Sequence, residues 1–106
     1  MYKNITATQM KEFLDKHKDI ILVDTRTPME FEEEHIKGAI LIPFDQLAQR
    51  HEEMKAKKHD KIILYCRTGS RSAYAAQVLS DLGYEDVSNE MGGILDWIEN
   101  GYPISR

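Results

Sequence analysis

The chain has 106 residues, the size of a single domain, and 42% of them are hydrophobic, enough for one core and too many for a disordered segment. Eighteen Asp and Glu against fourteen Lys and Arg give a net charge of −4 with His neutral, which leaves no basic footprint for DNA or RNA. Met1 to Thr6 lack the apolar stretch of about 7 to 15 residues that a secretory signal needs, and no apolar run approaches membrane-spanning length, so a cytoplasmic protein is expected, without membrane partners.

Thr6 followed by Gln9 is the pattern of a capping box, and Met10, Phe13, Leu14 and His17 then recur at helical spacing. Ile20 to Val23 is an apolar run without polar alternation. Thr27, Pro28 and Glu30 form a second helix start, with Phe31 on the buried side. A second apolar run covers Ala39 to Ile42, and Asp45 is expected to open a third helix. A third run covers Ile62 to Tyr65. A helix is predicted from Arg71 to Leu82, with Ala75, Ala76, Leu79 and Leu82 on one face and Gly83 as terminator. A weaker strand lies around Val87, and Gly92 and Gly93 lead into a short closing helix with Ile94, Leu95 and Trp97. Apolar runs of this kind suit strands buried on both faces, and their alternation with helices implies right-handed crossovers. The fold class is therefore α/β: one domain over 1–106, with a central, mostly parallel sheet and helices on both faces.

Cys66 is the single cysteine, which excludes an internal disulfide and fits a reducing compartment. It falls between a buried strand and a helix, within Tyr65 Cys66 Arg67 Thr68 Gly69 Ser70 Arg71 Ser72, where parallel sheets place their ligand sites. Backbone amides entering a helix, together with two guanidinium groups, favour a thiolate over a thiol, so Cys66 is expected to be unusually acidic. Gly69 lets the loop fold back. Arg67 and Arg71 can neutralise an anionic substrate in a protein that is acidic overall. A small inert core cysteine is the ordinary alternative, but an arginine at once after the strand, then a glycine and a second arginine, argue for chemistry.

These residues resemble the rhodanese-like domain family over essentially the whole chain. Val23 Asp24 Thr25 Arg26, with Glu30 Phe31, His35 Ile36, Gly38 Ala39 and Ile42 Pro43, is similar to the family's amino-terminal signature; Cys66 to Arg71 resembles its active-site loop; Gly92 Gly93 with Trp97 resembles its closing motif. The resemblance implies a thiosulfate sulfurtransferase in which Cys66 attacks the outer sulfur of thiosulfate, releases sulfite and carries a persulfide. A thiophilic acceptor such as cyanide, a small thiol or a protein thiol then removes the sulfur. Arg67, Thr68, Gly69, Ser70 and Arg71 are the implied substrate-binding loop. A preformed thiolate needs no adjacent general base, and a persulfide needs no metal, so ping-pong kinetics without a cofactor are expected.

Two other readings stay open: a relay or regulatory module that moves a persulfide between proteins, and a cysteine phosphatase or arsenate reductase. The latter pattern looks like a cysteine and an arginine with five residues between them; here only four intervene between Cys66 and Arg71, and Ser72 stands at the arginine position. His51 lacks a second histidine at zinc-protease spacing, and His35 is expected to complete hydrogen bonds at a helix end. Asp24 and Arg26 are expected to form a buried ion pair, and Glu32 to Glu34 a solvated helix face. No interface motif is visible, and a monomer is the default for a small acidic domain.

Overall fold

The computed structural model describes residues 1–106. Five parallel strands form one sheet: β1 (Lys3–Ile5), β2 (Ile21–Asp24), β3 (Ile40–Leu41), β4 (Lys61–Tyr65) and β5 (Asp86–Glu90), in the spatial order β1-β5-β4-β2-β3. The helices are α1 (Ala7–Lys16), α2 (Pro28–Glu33), the one-turn α3 (Leu47–Arg50), α4 (Ser70–Asp81) and α5 (Gly93–Glu99). Ile62 and Leu64 of β4 pack with Val23, Ala75, Ala76 and Leu79 on one face of the sheet. Ile63 and Tyr65 pack with Met10, Ile94 and Trp97 on the other. Helices cover both faces, which is why β2 and β4 read as unbroken apolar runs.

Local signals act as expected at the helix starts. Gln9 N donates to Thr6 Oγ1 at 3.1 Å while Thr6 N donates to Gln9 Oε1 at 2.8 Å. Thr27 and Glu30 close the second box at 3.3 and 3.0 Å. α4 starts at Ser70, one residue before expectation, and stops before Gly83. Phe31 is half-buried and stacks on His35, their ring centroids 3.9 Å apart.

Four expectations change. β3 is a two-residue edge strand with Ile40 exposed, not a strand buried on both faces, because it pairs only with β2 and the chain turns away at Pro43. Asp45 caps nothing: a 3₁₀ turn over Phe44–Gln46 follows Pro43, and Asp45 is an exposed member of it. Leu82 faces solvent as the residue after α4 rather than joining its apolar face. β1 has no counterpart in the sequence reading, since Lys3 and Asn4 are exposed polar residues and only its ladder with β5 makes the segment a strand.

Chain order reverses around β4. From β2 the chain moves out to β3, and from β4 it moves the other way to β5, so the loops leaving β2 and β4 diverge and open a crevice at the strands' carboxyl ends. α5 closes one side of it: Gly93 has φ 68°, and a Cβ there would sit 2.1 Å from the Arg67 carbonyl oxygen. The left-handed conformation and that clash together predict that Gly93→Ala costs at least roughly 2 kcal/mol. The melting temperature should drop by roughly 10 °C.

The end of β5 is polar yet buried. The Ser88 Oγ and both Glu90 carboxyl oxygens have no hydrogen-bond partner. Burial, with a smaller repulsion from Asp96, pushes Glu90 up to about 8, and the Gly92 and Gly93 amides pull back without closing a hydrogen bond. Glu90 is therefore a neutral acid at pH 7. Its carboxyl lies above the ordinary 4.5, so its share of stability is complete below that pH and is lost as pH rises through about 8. Each unit between costs about 1.4 kcal/mol. Thermal melts should show Glu90→Gln removing most of the stability loss between about pH 5 and pH 8, and an unchanged pH slope would assign that loss elsewhere.

Candidate active site

Cys66 follows the last residue of β4, and the chain turns from it into α4 through Gly69, at φ 103°. A Cβ on Gly69 would lie 1.9 Å from the Met91 carbonyl oxygen, so only glycine lets the loop pack against the end of β5. The turn aims donors back at the sulfur: Gly69 N donates to Cys66 Sγ at 3.0 Å, and the Ser72 hydroxyl lies 3.4 Å from it. The other side of the loop is held by α5, with Ile94 N on the Cys66 carbonyl at 2.8 Å and Leu95 N on the Arg67 carbonyl at 3.3 Å.

Burial alone would raise the Cys66 thiol, since the residue has no exposed surface. The Ser72 hydroxyl and the amides of Ser72, Gly69 and Thr68 outweigh burial, and the thiol falls below its ordinary value. The acidity expected from the sequence is present, but hydrogen bonds to the sulfur carry it, and no arginine donates to Sγ.

The loop residues divide by environment. Arg67, Thr68 and Ser70 are exposed around the buried Gly69, and the Arg67 guanidinium forms no ion pair. Arg71 is half-buried and clamps Glu30 of α2 with two hydrogen bonds, at 3.0 and 3.2 Å. Arg71, helped by Thr27 and opposed by burial, holds the Glu30 carboxyl at about 2. The Asp24 and Arg26 side chains form the expected buried pair at 2.7 Å, and Arg26 also donates to the Glu34 carbonyl at 2.6 Å, which ties the β2 loop to the end of α2. His35 completes hydrogen bonds at that helix end, its Nδ1 lying 2.9 Å from the Phe31 carbonyl oxygen.

Sequence reasoning missed three contributors. Ser72 stood in the loop sequence and at the position a phosphatase gives to arginine, but was not assigned as a donor to the sulfur, although its first-turn position beside the loop is a usable signal. Asn89 sits on β5, 2.5 Å from the Ser72 hydroxyl, and nothing in the linear order links the two. Glu30 carried a capping signal but none for Arg71, 41 positions away. The largest surface hollow, about 270 Å³, is lined by Gln9, Glu12, Phe13, Lys16 and His17 and shares no residue with the Cys66 loop.

The family model for the rhodanese-like domain matches residues 6–100. A protein named sulfurtransferase from Allochromatium vinosum is 35% identical over 104 residues, covering 98% of this chain and 95% of that one. Thiosulfate sulfurtransferase PspE of Escherichia coli is 36% identical over 74 residues, covering 70% of each. Among solved structures, the rhodanese-related protein of Thermoplasma volcanium superposes with a TM-score of 0.82 at 35% identity, covering 98% of both chains. With the family model spanning most of the sequence and relatives matched in both sequence and overall structure, the chain belongs to the rhodanese-like domain family.

Proposed function

We propose that this rhodanese-like protein transfers a sulfane sulfur from thiosulfate to a thiophilic acceptor through a persulfide on Cys66, in the reducing environment its lone thiol suits. The observation that carries this reading is a buried sulfur facing an amide at 3.0 Å and a hydroxyl at 3.4 Å, with its thiol lowered despite burial. Such a thiolate is ready to attack sulfur without a base. In the first half-reaction Cys66 Sγ forms a bond to the outer sulfur of thiosulfate, the S–S bond of the donor breaks, and sulfite leaves with the electron pair. In the second, cyanide or a thiolate attacks the outer sulfur of the persulfide, and Cys66 departs as the thiolate. The loop amides stabilise the anion at each stage.

Cys66 has no exposed surface, so the site must open for a donor to reach it, and Arg67, Thr68 and Ser70 are the loop residues exposed to solvent there. Arg67, the unpaired cation there, is assigned to drawing in the anionic donor, and Arg71 to holding α2 against α4 while offsetting Glu30. Ser72, at the position a phosphatase would give to arginine, offers one hydroxyl where an oxyanion would need a fork of donors. This favours sulfur over phosphate.

Intact mass spectrometry should show the protein gaining one sulfur atom on incubation with thiosulfate and losing it to cyanide. A mass unchanged by thiosulfate but raised by a protein persulfide would favour a relay between proteins, and no gain from either would overturn sulfur transfer. Cys66→Ser should abolish transfer and change the melting temperature little, because a serine hydroxyl can accept from the same Gly69 amide and Ser72 hydroxyl.

Arg67→Ala should raise KM for thiosulfate about tenfold with kcat little changed, the mark of lost uniform binding. Arg71→Ala should also lower the reactivity of the Cys66 thiolate, since it leaves Glu30 an unpaired acid facing the loop. Adding Glu30→Gln to Arg71→Ala should restore part of that loss, and a double variant no better than Arg71→Ala would remove Glu30 from the account.

A further inference from the structure

The Ser72 hydroxyl has a single proton and three acceptors within reach: Asn89 Oδ1 at 2.5 Å, the Gly69 carbonyl at 3.2 Å and Cys66 Sγ at 3.4 Å. It cannot serve all of them at once. The orientation of the Asn89 amide is set on its other side, where Nδ2 donates to the Gly69 carbonyl at 3.3 Å and to Asn4 Oδ1 at 3.2 Å. The Gly69 carbonyl can only accept, so a flipped amide would set oxygen against oxygen, and Oδ1 is therefore held toward Ser72. Ser72 and Asn89 are both buried, so water does not compete for the proton.

We propose that Asn89 is a positioning residue that holds the Ser72 hydroxyl proton while the Cys66 sulfur is uncharged and competes with that sulfur for the proton when the thiolate forms. With a neutral thiol, the short contact to Asn89 Oδ1 takes the proton. Ionisation makes the sulfur a charged acceptor, whose hydrogen bonds are roughly twice as strong as neutral ones, and the hydroxyl rotates to it. When Sγ gains a second sulfur, the negative charge moves outward to the terminal atom, and the hydroxyl returns to Asn89. Asn89 thus favours the thiol and persulfide forms over the free thiolate. The persulfide half of this inference rests on the proposed sulfur transfer; the ionisation half rests on the geometry alone.

The test is the pH profile of Cys66 alkylation by iodoacetamide, measured from about pH 5 to pH 10. Asn89→Ala removes the competitor, so its profile should move to lower pH, with alkylation below the midpoint faster by about three- to tenfold, the scale of one neutral hydrogen bond. The plateau rate at high pH should stay the same, which separates easier ionisation from easier access. Asn89→Asp, equal in size, puts a charged acceptor on the Ser72 side and loses the donor to the Gly69 carbonyl, and it should move the profile the opposite way. In a Ser72→Ala chain, Asn89→Ala should have no effect on the midpoint. A merely structural role would move both Asn89 variants toward the ordinary thiol value, in the same direction. An Asn89→Ala midpoint that stays or rises, an Asn89→Asp midpoint that does not rise, or an Asn89→Ala effect that survives in Ser72→Ala overturns the proposal. None of these outcomes bears on sulfur transfer, which thiosulfate loading of the unaltered protein tests separately.

Discussion

Where Gly69 meets the Met91 carbonyl and Gly93 meets the Arg67 carbonyl, the backbone packs closer than any Cβ permits, and the rest of the site follows from those two approaches. They bring the turn after β4, the end of β5 and the start of α5 into one layer. In that layer the Gly69 amide points at Cys66 Sγ, and α5 takes up the carbonyls of Cys66 and Arg67. A loop otherwise free to open is satisfied on both its donor and acceptor sides. This is how a sulfur with no exposed surface keeps a lowered thiol: the amides aimed at it are fixed by packing, and only the Ser72 hydroxyl has to turn when charge appears.

Charge in this protein is organised in pairs that fix loops more than they add stability. The Asp24–Arg26 pair is fully desolvated, and its attraction is spent largely against that desolvation. What it does structurally is hold the β2 loop, with Arg26 reaching the Glu34 carbonyl beyond α2. The Glu30–Arg71 pair then joins α2 to the first turn of α4, across the crevice that the reversal of chain order opens. The two pairs place one strand-end loop against the other. Arg67 alone stays unpaired and exposed, the one guanidinium in the loop free to meet an anion.

β5 runs against the usual composition of a buried strand. Ser88, Asn89 and Glu90 lie in succession with almost no exposure; Asn89 is fully used by Ser72, Gly69 and Asn4, while Ser88 and Glu90 have no partners. The partnered residue faces the thiol network and the unpartnered ones face the α1 and α5 side. Glu90 avoids the cost of a buried charge by staying protonated near neutral pH. The polar end of this strand therefore serves the site on one face and is tolerated on the other.

The sequence alone carried the alternation of apolar runs and helices, the two capping boxes, the stop at Gly83 and the reactive loop around Cys66, because each depends on residues within a few positions of one another. It also carried the Asp24–Arg26 pair, two positions apart. Tertiary structure alone decided what depends on distant partners. Lys3 to Ile5 is a strand because β5 lies beside it, and Ile40 is exposed because β3 lies at an edge. Arg71 turns to Glu30, 41 positions away, rather than to the sulfur. The Ser72 proton is shared with Asn89, 17 positions on, because the parallel ladder of β4 and β5 sets Leu64 beside Asn89 and so carries the two ends of the network to the same edge of the sheet. Helix caps and turns are written in short-range chemistry, whereas a hydrogen-bond acceptor on another strand exists only once the sheet has chosen its order.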